Sequence, residues 1–156
     1  MRDAFNPTRI RVDTGPWAEL QAAASAVREQ VFIFEQGIAQ ALEWDQWDAL
    51  SLHAVARDNS GEALGTARLL PREFDAATPA VGHVGRMAVL AHARGAGIGS
   101  RLLKSLMDAA PDFGFTQIAL NAQTWVAGFY ARHGFVAEGE AFLEVGIPHV
   151  RMRVRL

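Results

Sequence analysis

The chain contains no cysteine. That excludes thiol nucleophiles, disulfides and cysteine-based zinc sites, while leaving the compartment open. Excess charge is nearly absent too: the formal net charge is −2, which gives no reason to expect nucleic acid or an anionic membrane as a partner. No apolar run reaches membrane-spanning length, and the opening MRDAFNPTRI lacks the apolar centre of a signal peptide. A soluble cytoplasmic protein is the expectation. Metal catalysis has no H-E-x-x-H to rest on, the histidines are scattered singly, and no G-x-S-x-G elbow supports serine hydrolysis. Linkers, internal repeats and low-complexity tracts are missing as well. With half its residues hydrophobic, the chain reads as a single domain over 1–156 with a core of its own.

Periodicity orders the elements. Residues 9–13 alternate as a first strand. Thr14-Gly15-Pro16 then signals a helix start, with Thr14 as cap, and Trp17, Leu20, Ala24, Val27, Val31 and Phe34 follow at helical spacing. Residues 36–48 read as a short helix and a loop. Strands at 52–57 and 63–70 flank the turn Asn59-Ser60-Gly61 and form a hairpin. A strand at 82–90 comes next, then a helix over 98–110 that Pro111 stops. Residues 115–121 form another strand, Thr124 caps a short helix that ends at Gly134, and strands near 135–143 and 149–155 flank Gly146-Ile147-Pro148. This order predicts an α/β fold with a mixed sheet, not a regularly alternating doubly wound one.

Between the strand at 82–90 and the helix at 98–110 lies His92–Leu103, HARGAGIGSRLL, with glycines at 95, 97 and 99. Strand, glycines and helix start make an anion site, because the first amides of a helix are free and its dipole is positive there. Arg94 adds a cation. The spacing lacks the lysine of a Walker loop, and it is G-x-G-x-G where a dinucleotide fingerprint needs G-x-G-x-x-G.

Arg94-Gly95-Ala96-Gly97-Ile98-Gly99 resembles the R/Q-x-x-G-x-G/A loop of the GCN5-related N-acetyltransferase (GNAT) superfamily. The preceding GRMAVLAHA and the later LNAQTWVAGFYARHGF resemble that family's flanking blocks, in the same order, over roughly residues 50 to 140. VREQVFIFEQGI at 27–38 and EVGIPHVRM at 144–152 further resemble a bacterial subgroup typified by ElaA-like proteins, although EWDQWDAL follows its acidic pattern only loosely. The resemblance implies a mostly antiparallel mixed sheet with a splayed central strand pair, flanked by helices. It also implies transfer of an acetyl group from acetyl-CoA to a primary amine of a small molecule or peptide, by direct attack. A homodimer is compatible with it.

Carried over residue by residue, the resemblance assigns Met87, Ala88 and Val89 to the pantetheine arm, with a main-chain N–H near Val89 for the oxyanion. Arg94, Gly95, Ala96, Gly97, Ile98, Gly99 and Ser100 would hold the pyrophosphate. Asn121 would face the cofactor, against the alternative of a strand-end turn residue. Tyr130, the only tyrosine, would protonate the departing thiolate, against the alternative of a core aromatic. For the general base, His83 lies six residues before Val89 on the same alternating face as Gly85 and Met87, though a strand histidine is equally a satisfied structural group. Glu43, Asp45 and Asp48 are a second candidate set, with a solvated acidic surface as the simpler reading. Glu144 and His149 flank the last turn and would border the acceptor pocket, against the alternative of a tight turn between the last two strands. Two other functional classes stay open: a catalytically silent CoA-binding regulatory module on the same fold, and a structural domain whose glycine loop is only a turn.

Overall fold

The structure, a computed structural model, describes residues 9–156; the N-terminal stretch up to Thr8 lies outside the described residues. β1 (Arg11–Pro16), β2 (Leu52–Arg57), β3 (Ala63–Leu69) and β4 (Val81–Val89) form an antiparallel ladder. β4 meets β5 (Gln117–Gln123) in parallel, and β7 (Ile147–Arg155) lies between β5 and the edge strand β6 (Val136–Glu144). The seven strands run β1-β2-β3-β4-β5-β7-β6. Helices α1 (Trp17–Arg28), α2 (Gln40–Glu43), α3 (Ile98–Ala109) and α4 (Ala127–Ala131) complete the fold. The expected mixed, mostly antiparallel sheet flanked by helices is what forms.

Side-chain alternation assigns the two faces. Ala54 and Ala56 of β2 meet Leu102, Leu103 and Leu106 of α3, while Val55 between them meets Leu20 and Ala24 of α1. α3 can lie this close because β3 offers Gly65, where a Cβ would stand 3.0 Å from both Ile98 and Leu102. On β5 and β7 the same α3 face carries Ile118, Leu120, Ala122, Val150, Met152 and Val154. Asn121, Gln123, His149, Arg151 and Arg153 therefore line the opposite face.

Local readings are corrected at several points. β1 continues to Pro16, so Thr14 pairs with Ala54 instead of capping α1, and Pro16 takes the cap position without a side-chain bond. Past Arg28 the helix widens into a π-turn over Glu29–Glu35, which shifts the helical phase. Phe32 is buried at 7% exposure, and Phe34, expected inside, is 64% exposed. β5 starts two residues late, so Asn121 is an interior strand residue paired with Arg151, and Gln123 ends the strand. Thr124 opens a 3-10 turn and makes no cap bond. The β6–β7 turn is Val145-Gly146, both with positive φ, as a two-residue hairpin of right-handed strands requires; Ile147 and Pro148 already belong to β7.

β4 holds the feature that most shapes the molecule. It pairs Val89 with Gly65 and Ala88 with Thr66, then Gly85 with Arg68, so Arg86 and Met87 together oppose Ala67. This β-bulge places Arg86 at φ 51°, a conformation that favours glycine. The extra residue reverses the alternation. Gly82 and Val84 face α3 before it and Met87 and Val89 after it, whereas Gly85, Arg86 and Ala88 look the other way. His83 and Gly85 share a face as expected, but Met87 stands on the other one.

Candidate active site

β4 and β5 pair only at Val81↔Gln117, Gly82↔Ile118 and His83↔Ala119. Beyond these the strands diverge. Val84–Val89 keep β3 on one edge and Leu120–Gln123 keep β7, which leaves a row of main-chain groups on each strand facing the gap. Both strands run toward the end of the sheet where the glycine loop begins.

The three loop glycines have different causes. Gly95 (φ 84°) and Gly97 (φ 80°) are left-handed, and a Cβ on either would meet nothing within 4 Å. Gly99 is a contact residue, since its Cβ would stand 3.3 Å from Phe129 of α4. Among the described residues, no backbone N–H from Gly95 to Ser100 donates to another group; the first helical bond is Arg101 N–H to the Gly97 carbonyl at 3.1 Å. Free amides at a helix N-terminus, with open space beside Gly95 and Gly97, are the arrangement an anion needs. Arg94 is already engaged: it donates to the Val89 carbonyl (2.9 Å) and pairs with Glu35 (2.8 Å). The Ser100 hydroxyl lies 2.9 Å from His133 Nε2.

Tyr130 is 8% exposed and its hydroxyl donates to the Met87 sulfur at 3.7 Å, at the freed edge of β4. Burial pushes its pKa up to about 12, so the hydroxyl keeps its proton at neutral pH. Met87, Gly99, Phe129 and Tyr130 thus form one junction of β4, α3 and α4.

On the face opposite α3, His83 Nε2 lies 3.0 Å from Asp75, and the ring meets Phe74 edge-on. Burial, aided by Arg151 and Arg153, holds His83 below its usual pKa despite Asp75. The Asn121 amide donates to Glu144 at 3.2 Å, and His149 Nε2 lies 3.4 Å from the same carboxylate. Gln123 and Gln36 exchange amide hydrogen bonds of 3.0 and 3.3 Å, tying the end of β5 to the segment after the π-turn.

The acidic run is not a solvated surface. Glu43 and Asp48 are buried, and Arg28, fully buried, reaches Glu43 at 2.8 Å and Asp48 at 2.7 Å. Arg68 bridges Asp45 (2.7 Å) and Asp48 (2.8 Å), while Arg86 reaches Glu43 and Asp45, each at 3.3 Å. Arg28 also stacks over Trp44, with 4.7 Å to the ring centroid. Three guanidinium groups from α1, β3 and β4 thereby neutralise three carboxylates. Burial raises the Glu43 pKa even against Arg86 and Arg28; at Asp45 burial acts the same way, but Arg68 and Arg86 outweigh it and hold that carboxyl low. Sequence reading overlooked Arg28, Arg68, Arg86 and Asp75. A usable signal was there: an arginine inside the apolar strands ALGTARLL and GHVGRMAVL is costly unless paired, and EWDQWD has the matching charges.

These features have relatives. A family model for the acetyltransferase (GNAT) domain matches residues 21–156. The chain is 36% identical over 127 residues to a Bacillus subtilis protein named N-acetyltransferase YjcF, itself uncharacterized, across 81% of this chain and 86% of that one. A crystal structure of an acyl-CoA N-acyltransferase from Pseudomonas aeruginosa superposes with a TM-score of 0.78 at 31% identity, covering 92% of this chain and 98% of that one. Escherichia coli ElaA superposes with a TM-score of 0.78 at 26% identity, again over 92% and 98%. The divergent β4–β5 pair, the glycine loop before α3 and these matches agree: this chain belongs to the GNAT acetyltransferase family.

Proposed function

We propose that the protein is a cytoplasmic N-acetyltransferase that moves an acetyl group from acetyl-CoA to the primary amine of a small molecule or peptide. One observation carries the reading: the gap between β4 and β5 opens toward free helix-start amides, with the Tyr130 hydroxyl against the exposed edge of β4. The residues fit a pyrophosphate-bearing thioester. Amides of Gly95–Ser100 would take the diphosphate, and main-chain groups of Met87–Val89 would pair with the pantetheine arm. Hydrogen bonds to a charged acceptor contribute roughly 1.5–3 kcal/mol each. Acetyl-CoA supplies an acyl group already activated as a thioester.

The chain's own residues then handle two protons. His83 donates from Nε2 to Asp75, which leaves Nδ1 as the basic nitrogen, and its lowered pKa keeps that nitrogen free at neutral pH. It takes the amine's proton, directly or through water, as the N–C bond forms. Tyr130 gives its Oη proton to the sulfur as the C–S bond breaks, and exchange with solvent resets both groups.

Thiol release from acetyl-CoA over a panel of amines tests the proposal. Tyr130→Phe should lower kcat by about 100-fold while CoA affinity is kept. Binding of CoA without thiol release for any amine would refute the transferase reading and leave a silent CoA-binding module.

A further inference from the structure

The described arginines that are withdrawn from solvent are matched to carboxylates with one exception. Of the described arginines that are buried or half-buried, Arg28, Arg57, Arg68, Arg86 and Arg153 each reach a carboxylate. Arg151 is half-buried and, among the described residues, reaches none. It projects from β7 on the face opposite α3, in register with Asn121 of β5 and Glu138 of β6. Asn121 lies two residues past the last β4–β5 pair, on the strand that borders the gap. Arg151 is also near enough to His83 to disfavour its protonated form. The acids around it are already engaged: Glu138 with Arg153, Glu144 with Asn121 and His149, and Asp75 with His83.

An unmatched guanidinium beside the reaction gap has a use if the missing charge arrives with the acceptor. We infer that the acceptor amine carries a carboxylate and that Arg151 receives it. A single planar fork suits a carboxylate, which it can bind through two parallel N–H donors; a phosphate dianion would ask for more positive charge than one guanidinium gives. Arg151 stands one strand beyond Asn121, and adjacent strands are about 4.8 Å apart, so amine and carboxylate are separated by roughly 5–10 Å or less. Linear amino acids and peptide-like acids fall in this class. This deepens the transferase reading and rests on it.

The test compares linear amino acids of increasing length with their own amides as acceptors, by thiol release at fixed acetyl-CoA. In the wild type, kcat/KM for the acid should exceed that for its amide by about tenfold or more, the size of one hydrogen-bonded charge contact. Arg151→Gln should bring that ratio close to one, and Arg151→Lys should keep part of it. A merely structural role would depress acid and amide alike and leave the ratio intact. A wild-type ratio near one, or an Arg151→Gln ratio equal to the wild type's, overturns the inference while the transferase reading stands. If none of these acids or amides turns over while another amine does, calorimetry of acid and amide with CoA-loaded protein decides, and equal heats overturn it. Protein that binds no CoA removes the transferase reading and this inference together.

Discussion

Arg86 occupies a backbone conformation that L-residues avoid, and this can be weighed. At φ 51° the residue sits in the left-handed region, where a side chain costs roughly 1–2 kcal/mol. Its side chain is 28% exposed and its ionic contacts are 3.3 Å long, so they contribute about as much as surface pairs, roughly 0.2–1 kcal/mol. Removing it leaves neither acid alone, since Arg28 still holds Glu43 and Arg68 still holds Asp45. Arg86→Gly should therefore relieve strain and lose weak contacts, ending within about 1 kcal/mol of the wild type. Arg86→Ala loses the contacts and keeps the strain, so it should be less stable than the glycine variant by about 1–2 kcal/mol. That reverses the usual order in a strand, where glycine is the worse residue by roughly 0.5–1 kcal/mol. Urea denaturation with unchanged m-values reads the difference. An alanine variant as stable as the glycine variant would refute the argument, because the bulge would then impose no left-handed conformation.

Two further perturbations address the buried charges. Asp48→Asn weakens the site that accepts bonds from Arg28 at 2.7 and 3.1 Å and from Arg68 at 2.8 Å, and should cost about 3–5 kcal/mol by chemical denaturation; a loss under about 1 kcal/mol would mean that water reaches the cluster. His53 is buried with Nε2 donating to the Asp48 carbonyl at 2.8 Å, and burial holds its pKa below the usual 6.5. As pH falls through 6.5 the unfolded chain takes up the proton first, so stability is full above that value and declines below it until the folded group also titrates. Urea midpoints at several pH values should show that slope, and His53→Phe should flatten it; an unchanged slope would sink the assignment.

The element order, the hairpin at Asn59–Gly61, the helix after the glycine loop and its amphipathic stripe were legible because each depends on neighbours a few residues away. Ile98, Leu102 and Leu106 announce a buried face by spacing alone, and they are buried. Phe34 misled because a π-turn is a change of hydrogen-bond step that the apolar pattern does not record. Met87 misled because a bulge adds one residue on one strand and inverts everything after it. The acidic run 43–48 misled because its partners, Arg28, Arg68 and Arg86, come from three other elements.

Local sequence by itself determined the strand and helix inventory and the glycines that free the loop amides, since backbone preference and short-range periodicity act within one segment. Only the tertiary structure decided which charges are neutralised, which histidine nitrogen is free and which half-buried arginine is left without a carboxylate among the described residues. Those outcomes depend on burial and on distances of a few ångströms between segments tens of residues apart, and such distances exist only once the sheet has closed around them.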